Sequence, residues 1–257
     1  MNRGREPLPT HVGDTPALPS AYRDVLASGL ADLRLTLDDA ALAVIDGHVR
    51  LLLAWTRSIN LTAIRDPAAA ALGHVVDSLT AVERLRSRRV ARVLDVGSGG
   101  GFPGVPLAAA IPSLEVRLLE PIAKKARFLA TAVEATGLAP RVSVQSARAE
   151  DLARDPGQRG SWPAVTARAV GSTAELVELA LPLLIESGML IAWKRGAIEG
   201  ELDAARRAMD ALGGGTLEVD DPHVRDLAGH RLVVVTRTGP VPADYPREPA
   251  VRRRRPW

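Results

Sequence analysis

VLDVGSGGGFPG, residues 93–104, separates two kinds of pattern in this chain. Residues 90–95 read as a buried strand with Asp95 at its end. Glycines follow at 97, 99, 100 and 101. A residue without a Cβ lets the chain turn tightly and lets a bulky ligand lie against bare backbone. Phe102 to Ile111 reads as the start of a helix, whose free N–H groups face the same spot. Strand, glycine turn and helix together describe a pocket for a nucleotide-type cofactor.

The spacing of the acids narrows the choice. Gly99, Gly101 and Gly104 satisfy G-x-G-x-x-G, which alone suggests a dinucleotide. The better registration is Asp95-x-Gly97-x-Gly99-x-Gly101, with an acid directly before the turn. Glu120 ends the next apolar stretch, Leu114 to Leu119, 19 residues after Gly101. An acid at that second strand end accepts hydrogen bonds from ribose hydroxyls. This pairing resembles the first two motifs of the Rossmann-like, S-adenosylmethionine-dependent methyltransferases. No G-x-x-x-x-G-K-[ST] is present, so nothing points to NTP hydrolysis.

Beyond the turn, the chain alternates strands and helices. Strands are expected at 90–95, 114–119, 141–145, 163–168, 188–193, 215–220 and 231–237, and helices at about 103–110, 122–136, 172–185 and 197–211. Such alternation predicts an α/β fold with a mostly parallel, Rossmann-like seven-stranded sheet. The last two strands lack a helix between them, so the final strand is expected to run antiparallel. Before the turn, residues 20–86 read as an N-terminal helical block. Thr36 with Asp39 suggests a capping box, and Asp66-Pro67 another helix start. Residues 1–19, rich in Pro and polar groups, are expected to be disordered. The organisation is therefore an extension (1–19), a helical block (20–86), a catalytic core (87–240) and a basic tail (241–257).

Composition sets outer bounds. A chain of 257 residues with 46% apolar content fits one ample domain plus a small accessory piece. There is no cysteine, which excludes disulfides and thiolate chemistry. The five histidines show no metal-ligand spacing. With no apolar run of spanning length and no signal core, a cytoplasmic, metal-free protein away from membranes is expected. Net charge is only +3, but arginines crowd at 84–92 and the tail ends RRRRPW. Such a tail is either solvated or a contact for anionic partners such as RNA. Aromatic residues are 3% of the chain, too few for an extended base-stacking platform.

Several further segments carry a narrower likeness. They are WTRSINLTAIRDP (55–67), HVVDSL (74–79), FPGVPLA after the glycines, KKARFL after Glu120, Arg148-Ala149-Glu150, Ala167-Arg168-Ala169, Trp193-Lys194-Arg195-Gly196 and HRLVV from His230. Over roughly residues 25–238 the chain resembles the bacterial small-subunit (16S) ribosomal RNA guanine-N7 methyltransferases, the glucose-inhibited division protein B family. It departs from that pattern where Arg195 separates Lys194 from Gly196. The resemblance implies S-adenosyl-L-methionine as cofactor and 16S ribosomal RNA or the small ribosomal subunit as partner. It implies that Gly97, Gly99, Gly101, Phe102, Glu120, Ala149, Glu150 and Arg168 surround the cofactor.

His74, Asp77 and Ser78 stand at i, i+3 and i+4 and share a helix face. That spacing suits a polar patch facing the pocket, with His74 and Ser78 as candidates for substrate contact. Lys124, Lys125, Arg148 and Lys194 are candidates for RNA phosphate or base edges. The target nitrogen carries a lone pair, so no general base is expected. Two alternatives remain open at this point: a small-molecule methyltransferase on the same sheet, and an RNA-binding module with a vestigial pocket. An NAD-dependent oxidoreductase is a more distant third.

Overall fold

The computed structural model describes residues 7–257. The glycine segment follows β1 (Arg92–Val96). The other strands are β2 (Glu115–Leu119), β3 (Val142–Gln145), β4 (Trp162–Arg168), β5 (Leu184–Arg195), β6 (Gly215–Asp220) and β7 (His230–Arg237). They form one seven-stranded sheet in the order β3-β2-β1-β4-β5-β7-β6. Strands β1 to β5 pair in parallel, and β7 runs antiparallel to both β5 and β6. The expected seven strands and the antiparallel final strand are both present. Chain order reverses where β2 and β4 flank β1, and in open α/β sheets that switch point is where ligands bind.

Helices cover both faces, which is why the central strands are apolar on each side. The helical block contains α1 (Ser20–Asp32), α2 (Asp39–Thr56), α3 (Pro67–Ala70), a π-helical turn (Ala71–Val76), α4 (Asp77–Leu79) and α5 (Val82–Ser87). The block packs with α6 (Gly104–Ala110) and α7 (Ala123–Ala135) on one face, around Ile45, Leu52, Val93, Leu118 and Phe128. On the other face α8 (Ala149–Arg154), α9 (Thr173–Ala180) and α10 (Glu199–Ala211) enclose Leu94, Val165, Leu190 and Val233. Each fully buried Leu or Val of this kind contributes about 1.5–3 kcal/mol.

Local sequence fixes most helix starts. Asp66 caps α3 by accepting from the Ala69 amide, with Pro67 in the first turn. The start of α2 differs from expectation. Asp38, not Thr36, is the cap, accepting from the Ala41 amide at 2.8 Å. Among the described residues no helix is long and apolar enough to cross a membrane.

The two ends of the chain correct the expectations made for them. Residues 1–6 lie outside the described residues. From residue 7 the extension lies along α2, with Leu18 buried and Leu8 and Val12 packed on the core. The Trp55 indole donates to the Pro9 carbonyl at 2.8 Å, and Arg50 donates to the Pro16 carbonyl at 2.9 Å. The disorder inferred from composition fails here because α2 supplies both an apolar groove and donors for extended backbone.

The basic tail is likewise anchored and ends in α11 (Pro249–Arg254). Glu178 on α9 is fully buried and accepts from the Arg247 amide, Nε and Nη2 and from the Trp257 indole, at 2.6–2.9 Å. Arg252 turns inward onto buried Glu150, while Arg253, Arg254 and Arg255 are exposed.

Candidate active site

The glycine turn is held from three sides. Glu120 accepts from the Gly99 amide with one carboxylate oxygen and from the Ile122 amide with the other, both at 2.9 Å. Asp95 is fully buried; its oxygens accept from the Thr166 hydroxyl (2.8 Å) and the Gly104 amide (3.3 Å). Burial pushes its carboxyl up to about 6, against the pull of those bonds. The third support comes from the helical block. His48 Nε2 donates to the Gly100 carbonyl at 2.7 Å, which leaves Nδ1 buried with no partner among the described residues. Burial pushes this ring down to about 4, so it is neutral. Gly101 has φ +90°, and a Cβ there would stand 2.7 Å from His48 Nε2. The turn thus needs glycine for conformation and for the approach of a partner distant in sequence.

A cavity of about 620 Å³ opens between this turn and the helical block. Gly97 to Gly100 form one wall; Thr62, His74 and Asp77 form the facing one; Arg168 and His230 lie on the sheet edge between them. Lys125 and Arg195 add positive charge at the same cavity. Phe102 lies between His48, tilted against it at 4.6 Å between ring centroids, and His74, stacked at 4.7 Å, and the Arg168 guanidinium lies 5.3 Å from its centre.

One hydrogen-bond chain ties the wall to the sheet. Arg168 Nη1 donates to Asp77 Oδ2 and to the Gly73 carbonyl, both at 3.0 Å. His230 Nδ1 meets the other Asp77 oxygen at 2.7 Å. The Trp193 indole donates to the Asp77 carbonyl at 2.7 Å. Arg168 Nη2 donates to His74 Nδ1 at 3.0 Å, and His74 Nε2 lies 2.7 Å from the Thr62 hydroxyl. Burial, then the Arg168 charge, push His74 down to about 3, with Asp77 pulling the other way. The half-buried Arg168 guanidinium needs a carboxylate there, and Asp77 supplies it.

The profile of a family described as "GidB: rRNA small subunit methyltransferase G" matches residues 42–226. A protein from Roseiflexus castenholzii named ribosomal RNA small subunit methyltransferase G is 40% identical, over 79% of this chain and 86% of its own length. One of the same name from Dehalococcoides mccartyi is 37% identical, over 90% of this chain and 98% of its own. The chain belongs to the GidB family. In fold it is similar to an O-methyltransferase from Bacillus cereus solved in complex with SAH, at 13% identity and a TM-score of 0.53, over 81% of this chain and 95% of that one.

The residues present fit the S-adenosylmethionine of this family. Gly99 has φ +56°, and a Cβ there would meet only the Gly97 carbonyl, at 3.7 Å. The backbone therefore presents an open face to the cavity where a side chain would stand in a ligand's place. Glu120, buried behind that face, fixes it by accepting from the Gly99 amide.

The structure brings together some of the residues expected at the site and separates others. Gly97, Gly99, Phe102, Arg168, His74, Lys125 and Lys194 line the cavity. Gly101 and Glu120 support the turn from behind. Ala149 and Glu150 begin α8, both buried, away from the residues lining the cavity. Burial acts to raise the Glu150 carboxyl, but its own amide and Arg252 outweigh it and hold the group low.

Three RNA candidates are engaged within the protein, and one of them, Ser78, is a correction. Ser78 is fully buried, and its hydroxyl donates to the His74 carbonyl one turn back at 2.5 Å, so it does not face substrate. His74 has both ring nitrogens engaged within the protein. Lys194 is committed to Glu201 Oε2 and the Gly171 carbonyl, each at 2.7 Å. Lys124 and Arg148 are exposed and lie outside the cavity lining. His48 at the turn, and Thr62 and Arg195 at the cavity, are positions that the sequence does not single out. Thr62 lies inside one of the segments of family likeness, yet nothing in its neighbours marks it out.

Proposed function

We propose that this chain transfers the methyl group of S-adenosylmethionine to N7 of a guanine in 16S ribosomal RNA. One observation carries the reading: the open glycine turn and the cations Arg168, Lys125 and Arg195 share a single cavity. A sulfonium-activated methyl group is the chemistry the cofactor supplies. The glycine turn and Glu120 serve to bind it, with Ala149 and Glu150 as the elements beyond the β3 edge assigned to its adenine. Phe102, fixed between two neutral histidines, gives the cavity a rigid apolar floor. No residue has to remove a proton, because guanine N7 carries a free lone pair. The protein's contribution is alignment in a preorganised polar site. The target base has to leave its stack, which loops and single strands allow at low cost. Lys125, Arg195 and the exposed Arg253–Arg255 are suited to the phosphates around it.

The test is transfer of labelled methyl from S-adenosylmethionine to unmodified 16S RNA and to small subunits, followed by mapping of the product. N7-methylguanosine at one position supports the reading. Label on metabolites, on another base or on nothing would refute it.

A further inference from the structure

The hydrogen-bond chain through His74 has a fixed direction, and it ends on an atom that no residue yet accounts for. Arg168 has only N–H groups to offer, so His74 Nδ1 must accept. A neutral imidazole then carries its proton on Nε2 and donates it to the Thr62 hydroxyl oxygen, 2.7 Å away. The Ile64 amide donates to the same oxygen at 3.0 Å. Both lone pairs of that hydroxyl are therefore used. Its own hydrogen has no acceptor within the protein among the described residues, and Thr62 lines the cavity. The residue is also close to the glycine turn: a Cβ on Gly100 would lie 3.7 Å from the carbonyl of Leu61, its chain neighbour.

We infer that Thr62 is a preset hydrogen-bond donor for O6 of the target guanine, held in that role by Asp77, Arg168 and His74. The inference rests on the functional reading above. O6 and N7 lie side by side on the same edge of guanine, and both are acceptors. A donor placed on O6 therefore registers the neighbouring N7. Adenine offers an amino group at the equivalent place, and two donors facing each other leave the half-buried hydroxyl without an acceptor. Thr62 is thus a specificity residue, and His74 a positioning residue that acts through it.

The experiment is a cycle between the hydroxyl and O6. The enzyme and its Thr62→Val and Thr62→Ser variants are assayed on an RNA bearing the target guanosine. They are then assayed on the same RNA with 2-aminopurine nucleoside there, which keeps N7 but lacks O6. The unmodified enzyme should lose about 10- to 100-fold in kcat/KM when O6 is removed. Thr62→Val should lose a similar factor on guanosine and nothing further on 2-aminopurine. Thr62→Ser should restore most of the rate. Affinity for S-adenosylmethionine, by calorimetry, should stay within about twofold in both variants.

The assignment fails if Thr62→Val still discriminates against 2-aminopurine. It also fails if cofactor affinity falls in step with activity, which would give the hydroxyl to the methyl donor. Should the Val variant not fold, an unmodified enzyme indifferent to O6 overturns it alone. Absence of any transfer to RNA by the unmodified enzyme would bring down the functional reading, and this assignment with it.

Discussion

The two walls of the cavity are built differently. The glycine wall is local: Asp95, Gly97, Gly99, Gly101 and Gly104 lie within ten positions of one another, and Glu120 joins them from the adjacent strand. The helical wall is assembled over long separations. His48 meets Gly100 across 52 positions, Arg168 meets Asp77 across 91, and His230 meets Asp77 across 153. The first wall is a conformational device, made by what glycine lacks. The second is an electrostatic one, in which each polar group is useful only because a distant partner satisfies it. The two should therefore fail in different ways.

The largest effect should come from the helical wall. Asp77→Ala leaves Arg168, a largely enclosed cation, without its carboxylate and removes the partner of His230. We expect a loss of about 3–5 kcal/mol in folding stability, measured by urea unfolding. A loss under about 1 kcal/mol would mean that the wall is held by packing alone. The tail follows the same logic, because Arg247 is the main partner of a fully buried Glu178.

Acid should also act on the helical wall. His48 and His74 have folded-state values of about 4 and 3, below the ordinary 6.5, so the unfolded chain binds their protons first. Their contribution is complete above pH 6.5 and is lost as pH falls toward those values. Asp95 opposes this: its folded value of about 6 exceeds 3.8, so its part of the stability is lost as pH rises from about 4 to 6. Between pH 7 and 5 the two histidines outweigh it, for a net loss of about 2–3 kcal/mol from these groups. Urea midpoints at both pH values, with and without His48→Gln, test the sign. Stability that rises toward pH 5 would show that the histidines are protonated in the fold.

This contrast also explains what could be read from the sequence. The place of Gly97, Gly99, Phe102 and Arg168 at the cavity is legible because it depends on neighbours in the chain, on the end of a strand, or on a family pattern. Ser78 was misread because helix spacing gives a face but not which way a hydroxyl bonds. Lys194 lines the cavity, but its pairing with Glu201, seven positions on, is set by the fold and not by the spacing of charges. The role of Thr62 depends on a proton direction set by Arg168, more than a hundred positions away. The ordered tail was missed for a similar reason: Glu178 reads as an ordinary helix acid until the fold buries it.

The glycine wall should break in function before it breaks in folding. Gly99→Ala puts a methyl group into the open face of the cavity at a residue with φ +56°. Backbone strain there costs roughly 1 kcal/mol of stability. Cofactor affinity should fall by more than that strain explains, at least about tenfold by calorimetry. An affinity loss no larger than the stability loss would mean that the cofactor does not lie against Gly99.

The smallest effect on folding separates the two sides of the tail helix. Arg252 faces inward on Glu150, whereas Arg253, Arg254 and Arg255 point to solvent with no carboxylate partner among the described residues. Replacing these three with alanine should change stability by no more than about 0.5 kcal/mol, as for other exposed positions. If they touch RNA phosphates, the slope of log binding constant against log salt should fall by about 2, three contacts on a single strand at roughly 0.7 each. The methyl donor should bind as before. An unchanged slope would mean that α11 only straps α8 and α9 together, which would make the tail a structural counterpart of the helical wall and leave RNA attraction to Lys125 and Arg195 at the cavity.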